Sequence, residues 1–201
     1  KDFVLWENAE TGALRQSPST ANNYRGTFLT LDPFVTLKKT GQFQHDLRMR
    51  LQSSTNKLPE SEQNNSDAVS LYSEYQLWYR LLDNLDITSG ISGIFSSVNS
   101  NFFNDHSGVN LAGYTQIELR PFDKLKAVAG VRLEHYSLDG EKEKLVPSVR
   151  AGLNWQAAPM TFLRASFGQG YRFPSIAEKF ASTTLGSVRI FPNPDVQSET
   201  G

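Results

Sequence analysis

The sequence predicts an all-β fold of antiparallel strands that cross a membrane as part of a barrel. Three observations carry this reading. Side chains alternate between apolar and polar with a period of two in about eight successive segments. Those segments run about 11–15 residues, against about 5–6 for an ordinary globular strand. The connections between them alternate short and long, as they do where short turns lie on one side of a bilayer and longer loops on the other.

The first segment sets Leu29, Leu31, Val35 and Leu37 against Thr30, Asp32, Thr36 and Lys38. The second sets Leu47, Met49 and Leu51 against Arg48, Arg50 and Gln52. In the third, Val69, Leu71, Tyr75, Leu77, Tyr79 and Leu81 oppose Ser70, Tyr72, Glu74, Gln76, Trp78 and Arg80. The fourth, over 85–97, is weaker: Ile87, Ile91 and Phe95 oppose Asp86, Thr88 and Ser92. Next, Leu111, Ile117 and Leu119 oppose Tyr114, Gln116, Glu118 and Arg120. Over 125–134, Ala127, Ala129, Val131 and Leu133 oppose Lys126, Gly130, Arg132 and Glu134. Over 146–156, Val149, Ala151, Leu153 and Trp155 oppose Ser148, Arg150, Gly152, Asn154 and Gln156. Over 161–172, Leu163, Ala165, Phe167 and Tyr171 oppose Phe162, Arg164, Ser166, Gly168, Gly170 and Arg172, with Gln169 out of pattern. At about 3.3 Å per residue, a tilted strand of such length crosses a bilayer. Charges at mid-strand, such as Arg150 and Arg164, suit a hydrated lumen opposite a lipid-facing side. A soluble sheet with one wet face produces the same alternation.

The connections separate the two. Short turns are expected at 39–42, 82–84, 121–123 and 157–159. Longer polar connections are expected at 54–67, 98–109, 139–144 and from Phe173 onward. A soluble sandwich has no reason to sort loop lengths to opposite ends. With the short turns in the periplasm, Tyr79 and Trp155 fall near the periplasmic ends of lipid-facing rows and Tyr171 near an outer end, where aromatic girdles sit.

Composition narrows the alternatives. The chain has 201 residues, 38% of them hydrophobic, with a mean hydropathy of −0.43. No run of about eighteen apolar residues marks a membrane helix. There is no cysteine, hence no disulfide framework and no thiolate chemistry. A net charge of −1, with no basic cluster interleaved with aromatics, gives no pull toward nucleic acid. Three scattered histidines, His45, His106 and His135, provide no metal-ligand spacing, and no cofactor is expected. His106, in an outer connection, reads as a solvated loop residue. His45 and His135 have lipid-face parity near strand ends, which suits an interface. Asp105-His106-Ser107 holds three catalytic residue types, but neighbours on one loop cannot form a triad, so no enzyme is expected. The opening Lys1-Asp2-Phe3-Val4-Leu5-Trp6 and the closing Gln197-Ser198-Glu199-Thr200-Gly201 read as cuts within a longer chain.

Gly170-Tyr171-Arg172-Phe173-Pro174-Ser175, followed by Glu178 and Phe180, resembles the Gly-aromatic-Arg-x-Pro-Ser strand exit of TonB-dependent outer-membrane receptors. Asn193-Pro194-Asp195-Val196, trailed by Glu199 and Thr200, resembles their Asn-Pro-x-hydrophobic box. Residues 129–136 are similar to another recurrent strand. Asp32-Pro33-Phe34 and the hairpin after it resemble receptors of the Bacteroidetes lineage. The resemblance spans roughly 25–201 and implies a barrel of about twenty-two strands, of which about eight are here, with 1–201 forming part of that one domain. It also implies residence in the outer membrane of a Gram-negative cell, among its lipid. A plug domain elsewhere in the receptor would fill the barrel, and the TonB complex would energise uptake through a segment of that plug, which this chain lacks.

The resemblance leaves the ligand open among siderophores, haem, cobalamin and oligosaccharides. Haem receptors of the family carry a histidine between the two boxes, and 175–192 contain none. By its frequency among members of that family, a ferric siderophore is the expected ligand. Arg132, Glu134, Arg150, Arg164 and Arg172, together with Glu118, are the expected lumen-face charges. They have three readings: cross-strand ladders, contacts with the plug, or guidance of an anionic ligand. The Pro174 junction ends strand pairing, and Gly168 and Gly170 leave room on the lumen face for a plug or a neighbouring backbone. The rival readings are a plugless diffusion porin and a soluble β-sandwich that binds sugar or protein.

Overall fold

The computed structural model describes Asn8, Glu10 and residues 25–39, 41–58, 65–101, 104–185 and 188–201. The opening segment 1–6, Thr40 and the middle of the 54–67 connection lie outside the described residues. In chain order the elements are β1 (Arg25–Leu31), β2 (Phe34–Lys39), β3 (Phe43–Lys57), β4 (Ser66–Leu82), β5 (Leu85–Ser100), β6 (His106–Phe122), β7 (Leu125–Leu138), β8 (Glu141–Lys142), β9 (Val146–Ala158) and β10 (Thr161–Gly168). A terminal segment adds β11 (Tyr171–Arg172), α1 (Ile176–Phe180), β12 (Thr183–Leu185), β13 (Val188–Ile190) and β14 (Glu199–Thr200).

The first ten strands form one antiparallel sheet in the order β1-β3-β4-β5-β6-β7-β9-β10, with β2 also on β3 and β8 on β7. Each long strand pairs with the next in sequence, so the sheet is a meander. β1 and β2 share one edge of β3: β1 lies along Leu51–Lys57 and β2 along Phe43–Arg48. The expected single strand over 29–37 is thus broken at Asp32-Pro33. Proline has no N–H for the ladder, although its carbonyl still accepts from Met49 N at 2.9 Å. Counting β1 with β2 as one interrupted strand, the sheet has the eight membrane-crossing strands that the alternation predicts.

Pairing outruns the alternation. β3 to β7 hold 15, 17, 16, 17 and 14 residues, each longer than its alternating stretch. The 54–67 connection shrinks because β3 and β4 run into it, and the 98–109 connection shrinks to the gap between Ser100 and His106. Two short turns also sit slightly later than expected, since β6 runs through Phe122 and β9 through Ala158. The weak 85–97 segment is a full strand held by its backbone ladder and by hydroxyl contacts, Ser70–Ser96 at 3.2 Å and Ser89–Thr115 at 2.7 Å. Alternation marks contact with lipid, and a ladder continues beyond the lipid into water. The charged 139–144 connection holds a tight hairpin into β8: Asp139 and Gly140 take φ of 51° and 85°, the paired positive values of a type I′ turn.

Register places odd-numbered strand residues on one face and even-numbered residues on the other. One odd row reads Leu31, Leu51, Leu71, Phe95, Val109; another reads Val35, Leu47, Tyr75, Ile91, Gly113, Leu133. This apolar face is exposed, with Ile91 at 66% and Leu111 at 54%. The even face is polar and yet holds the buried residues, among them Asp46, Asp86, Ser92 and Asn110. A soluble protein buries the opposite set. Hydrocarbon outside and water within account for the inversion. From Val109 to Leu119 the outward face of β6 covers ten steps. That is about 34 Å along the strand and about 24 Å along the membrane normal at a tilt of about 45°, matching the apolar band of an outer-membrane barrel.

A substitution at mid-band distinguishes lipid from water outside. Ile91 is exposed there, so Ile91→Arg would leave a soluble sheet nearly unchanged. In a bilayer it is expected to cost about 2–4 kcal/mol, read as a lowered urea midpoint of the full-length receptor in liposomes; an unchanged midpoint would contradict the assignment of faces.

Candidate functional site

Two clusters carry the polar chemistry: the inner wall of the sheet and the terminal segment at its long-loop end.

On the wall near the short turns, Asp86 is 5% exposed and bridges two cations, Arg80 at 3.1 Å and Arg120 at 2.8 Å. Arg120 also meets Glu118 at 2.6 Å, and Glu118 meets Lys126 at 2.8 Å. The chain of alternating charges crosses from β4 to β7. Higher up, Arg132 pairs with Glu134, donates to Ser92 Oγ at 3.2 Å and lies 5.7 Å from the Tyr114 ring centre. Tyr114 crosses over Gly90, its direct partner on β5, to reach Glu74 at 2.8 Å and Gln76 at 3.2 Å on β4. A Cβ on Gly90 would sit 2.5 Å from the Tyr114 ring and 2.7 Å from the Tyr75 carbonyl. Glycine there is a requirement of the crossing. Arg132, Tyr114, Glu74 and Gln76 line a recess of about 370 Å³ that also includes Gln116 and Arg150.

The expected site residues divide. Arg132, Glu134 and Glu118 belong to cross-strand charge pairs. Arg150 faces Gly130 on β7 and Gly168 on β10 and makes no ion pair among the described residues. Arg164 touches only Asn154 Oδ1, at 3.4 Å. Arg172 is not on the wall, because the ladder stops before it. Gln169 N donates to the Val149 carbonyl at 2.9 Å, but Val149 N donates to the Gln169 side-chain Oε1 at 3.2 Å. An amide side chain thereby replaces the next backbone carbonyl and β10 ends at Gly168.

Beyond that point the two sequence boxes form one unit. Gly170 and Gly201 exchange backbone hydrogen bonds at 2.7 and 3.0 Å, and β11 pairs with β14. Arg172 pairs with Glu178 and meets Glu199 at 3.4 Å. Ser175 caps α1: its hydroxyl accepts from Glu178 N, while the Glu178 carboxylate accepts from Ser175 N at 2.8 Å. This reciprocal capping explains the Ser-x-x-Glu spacing. Asn193 N donates to Lys179 O at 2.8 Å, so the second box closes the end of the helix. Gly170 is thus met by a neighbouring backbone, that of Gly201, while a Cβ on Gly168 would meet nothing within 4 Å.

The unit is seated on the outer ends of β6 to β8. Phe173 stacks on Tyr136 with ring centres 4.5 Å apart, and the Tyr136 hydroxyl donates to the carbonyl of buried Pro174 at 3.4 Å. Tyr171 binds Glu143 and Ser198, each at 3.0 Å; it is an anchor of this unit and not part of an aromatic girdle. His106 is not a solvated loop residue either. Its side chain is 12% exposed, Nδ1 lies 2.6 Å from Asp139 Oδ2, and the ring stacks on Phe180 at 3.6 Å. Tyr79 and Trp155 do lie on the outward face near the short turns, Tyr79 stacked on Phe43 at 4.5 Å. His45 is there too, 2.7 Å from the Tyr75 hydroxyl. The seating contacts escaped sequence reasoning because they join distant positions, whereas the Arg80–Asp86–Arg120 chain was visible as opposite charges of like parity beside short turns.

The pattern of an open meander with inverted faces and a capped terminal unit matches a known family. The family model described as TonB dependent receptor-like, beta-barrel, covers residues 4–201. The chain belongs to the TonB-dependent receptors. Its place is the outer membrane of Gram-negative bacteria, and the role of its family is transport across that membrane. No curated protein matches the chain. As a stretch of receptor barrel, the sheet is open: the outer edges of β1–β2 and β10 are unpaired among the described residues.

The geometry yields two expectations for the full-length receptor. Gly90→Val forces Tyr114 off its partners and should cost about 1–3 kcal/mol of overpacking, seen as a lower urea midpoint, whereas Gly113→Ala, in open space, should change little. The Ser175 N–H, the Arg172 guanidinium and the Ser175 hydroxyl hold the Glu178 carboxyl at about 2, below its ordinary 4.5. A depressed pKa contributes stability that is present above the ordinary value and lost as pH falls through the depressed one. The α1 unit should therefore loosen between pH 4.5 and about 2, shown by faster hydrogen exchange at Ala181 N, and Glu178→Gln should abolish that pH dependence.

Proposed function

We propose that this barrel belongs to a receptor that takes up an anionic ferric siderophore, energised through TonB, and that 1–201 form part of one barrel domain. The observation that supports the ligand is the pair of lumen-facing guanidinium groups, Arg150 and Arg164, which have no carboxylate partner among the described residues. Arg150 lines the recess holding Arg132, Glu74, Gln76 and Tyr114, and Arg164 lies on the same face toward the short turns. A cationic wall beside fixed hydrogen-bonding groups attracts and orients a multiply charged oxygen-rich complex. The absence of histidine from 175–192 weighs against haem.

In this reading Arg150 and Arg164 draw the ligand down the wall, the Arg132–Glu134 pair holds the recess in shape, and the plug of the same receptor closes the passage from within. The Arg172, Ser175 and Glu178 cluster, with Gly170, Tyr171, Phe173, Pro174, Asn193 and Pro194, keeps the outer segment folded over β6–β8. Arg172 is thereby a structural residue of the entrance.

The test uses the full-length receptor in detergent, with a ferric tris-catecholate as probe and haem, cobalamin and a maltodextrin as competitors. Ferric catecholate should bind with at least tenfold preference, and Arg150→Glu with Arg164→Glu should weaken it at least tenfold without lowering the melting temperature. Binding of cobalamin or maltodextrin in its place would overturn the ligand assignment. A large, permanently open conductance in planar bilayers would instead point to a plugless porin.

A further inference from the structure

The terminal unit and the connection from β7 to β9 enclose a second recess, about 680 Å³ in volume, at the long-loop end of the sheet. Distant segments build it. β8 and the residues after it supply Lys142 and Lys144, α1 supplies Lys179, and the chain behind the second box supplies Asp195, Gln197 and Thr200. Hydrogen bonds fix its walls. Glu143 accepts from Tyr171 at 3.0 Å and from Ser198 at 2.5 Å, which ties the hairpin side to the terminal side. The backbone of Lys179 is held twice: its N–H donates to Ser175 O at 3.2 Å, and its carbonyl accepts from Asn193 N at 2.8 Å. The recess shares no described residue with the one around Arg132 and Arg150 on the inner wall.

Three ammonium groups line this recess, and none has an ion-pair partner among the described residues. The nearby acids do not neutralise them. Glu143 is engaged by its two hydroxyl donors, and Glu141 pairs with Leu138 outside the lining. Asp195, the other carboxylate of the described lining, makes no ion pair there either. Gathering like charges from segments far apart in the chain is repulsive, and an anion held among them offsets that repulsion.

We propose that this recess binds a phosphorylated saccharide, with the phosphate among Lys142, Lys144 and Lys179 and the sugar along the 194–200 side. The kind of cation selects phosphate. Every cation of the described lining is a lysine. The planar fork of arginine matches a carboxylate in two-pronged fashion, whereas an ammonium is a compact point charge with rotatable donors, which suits a tetrahedral, multiply charged group. The remaining lining selects the sugar. Asp195 accepts from hydroxyls, Gln197 and Thr200 both donate and accept, and Pro194 and Val196 offer an apolar patch to the C–H face of a ring. The volume lies within the range of about 300–1,000 Å³ of small-molecule sites, far more than a bare phosphate ion fills. Such a group arrives either on the headgroup of a membrane glycolipid or as a free sugar phosphate, and the same lysines serve both.

The test titrates the full-length receptor in detergent with trehalose 6-phosphate, trehalose and inorganic phosphate. For the membrane source, native mass spectrometry reads retention of a diphosphorylated glucosamine-disaccharide glycolipid and of its dephosphorylated form. The phosphorylated probe that binds should be preferred at least tenfold over its unphosphorylated counterpart, and trehalose 6-phosphate, if bound, at least tenfold over phosphate. Lys144→Gln with Lys179→Gln should weaken that binding at least tenfold. Lys124→Gln, at a short turn on the opposite end of the sheet, should not, and the melting temperature should stay unchanged in every variant. Retention of the glycolipid alone would support the site with a membrane source, and binding of trehalose 6-phosphate alone would support it with a soluble one. Binding of neither, equal binding with and without the phosphate, or binding that survives the double substitution would overturn it.

Discussion

Hydrocarbon offers backbone N–H and C=O groups no partner, and this one constraint shapes the rest of the chain. Every strand that crosses the apolar band must find its hydrogen bonds in its neighbours. The result is the continuous run of paired strands from β3 through β9. Interruptions occur only where they are tolerated. Pro33 breaks β1 from β2 at the sheet edge, with its carbonyl still bonded. The register shifts sit beside short turns, between Arg80 and Leu82, Leu119 and Phe122, and Thr161 and Phe162. Bulges there re-aim the chain at the membrane boundary, where water can satisfy a stray group.

Once the ladder is fixed, pleating sends alternate side chains to opposite sides, and the two solvents sort them. The outer rows need only be apolar, and their packing is loose enough to leave a trough at Gly93 and Gly113. The inner face carries the specificity. There Asp86 lies between two arginines, and Tyr114 spans β5 to reach β4 across Gly90, the one position where a side chain would collide with the crossing ring. Such contacts stiffen the wall without apolar burial, the usual means in a soluble core. They also leave Arg150 and Arg164 uncommitted, so the structural charges and the available charges are different residues.

The terminal segment obeys a different rule. Outside the membrane the ladder is no longer obligatory, and Gln169 ends it by substituting its side chain for a backbone carbonyl. From Gly170 to Gly201 local chemistry holds the chain: a capped helix of one turn, an arginine between two glutamates, and a glycine pair that joins its two ends. Tyr136, His106 and Glu143 then tie this unit to the rim. The two boxes of the sequence are thus halves of one structural latch at the outer end of the lumen.

The sequence alone determined the number of crossings, the two faces and the alternation of short and long connections, because side-chain alternation and turn length are local properties of the chain. It also exposed the two boxes, whose Ser175–Glu178 spacing is a one-turn capping signal. It could not reveal where pairing ends, since β5 and β6 continue past the lipid on serines and asparagines that no solvent sorts. Nor could it assign partners. Arg132 and Arg150 look alike in the alternation, yet one is paired and the other is not; His106 looks like a loop residue, yet it stacks on Phe180. Those outcomes depend on strand register and on a segment that folds back from far downstream, which only the tertiary structure brings together.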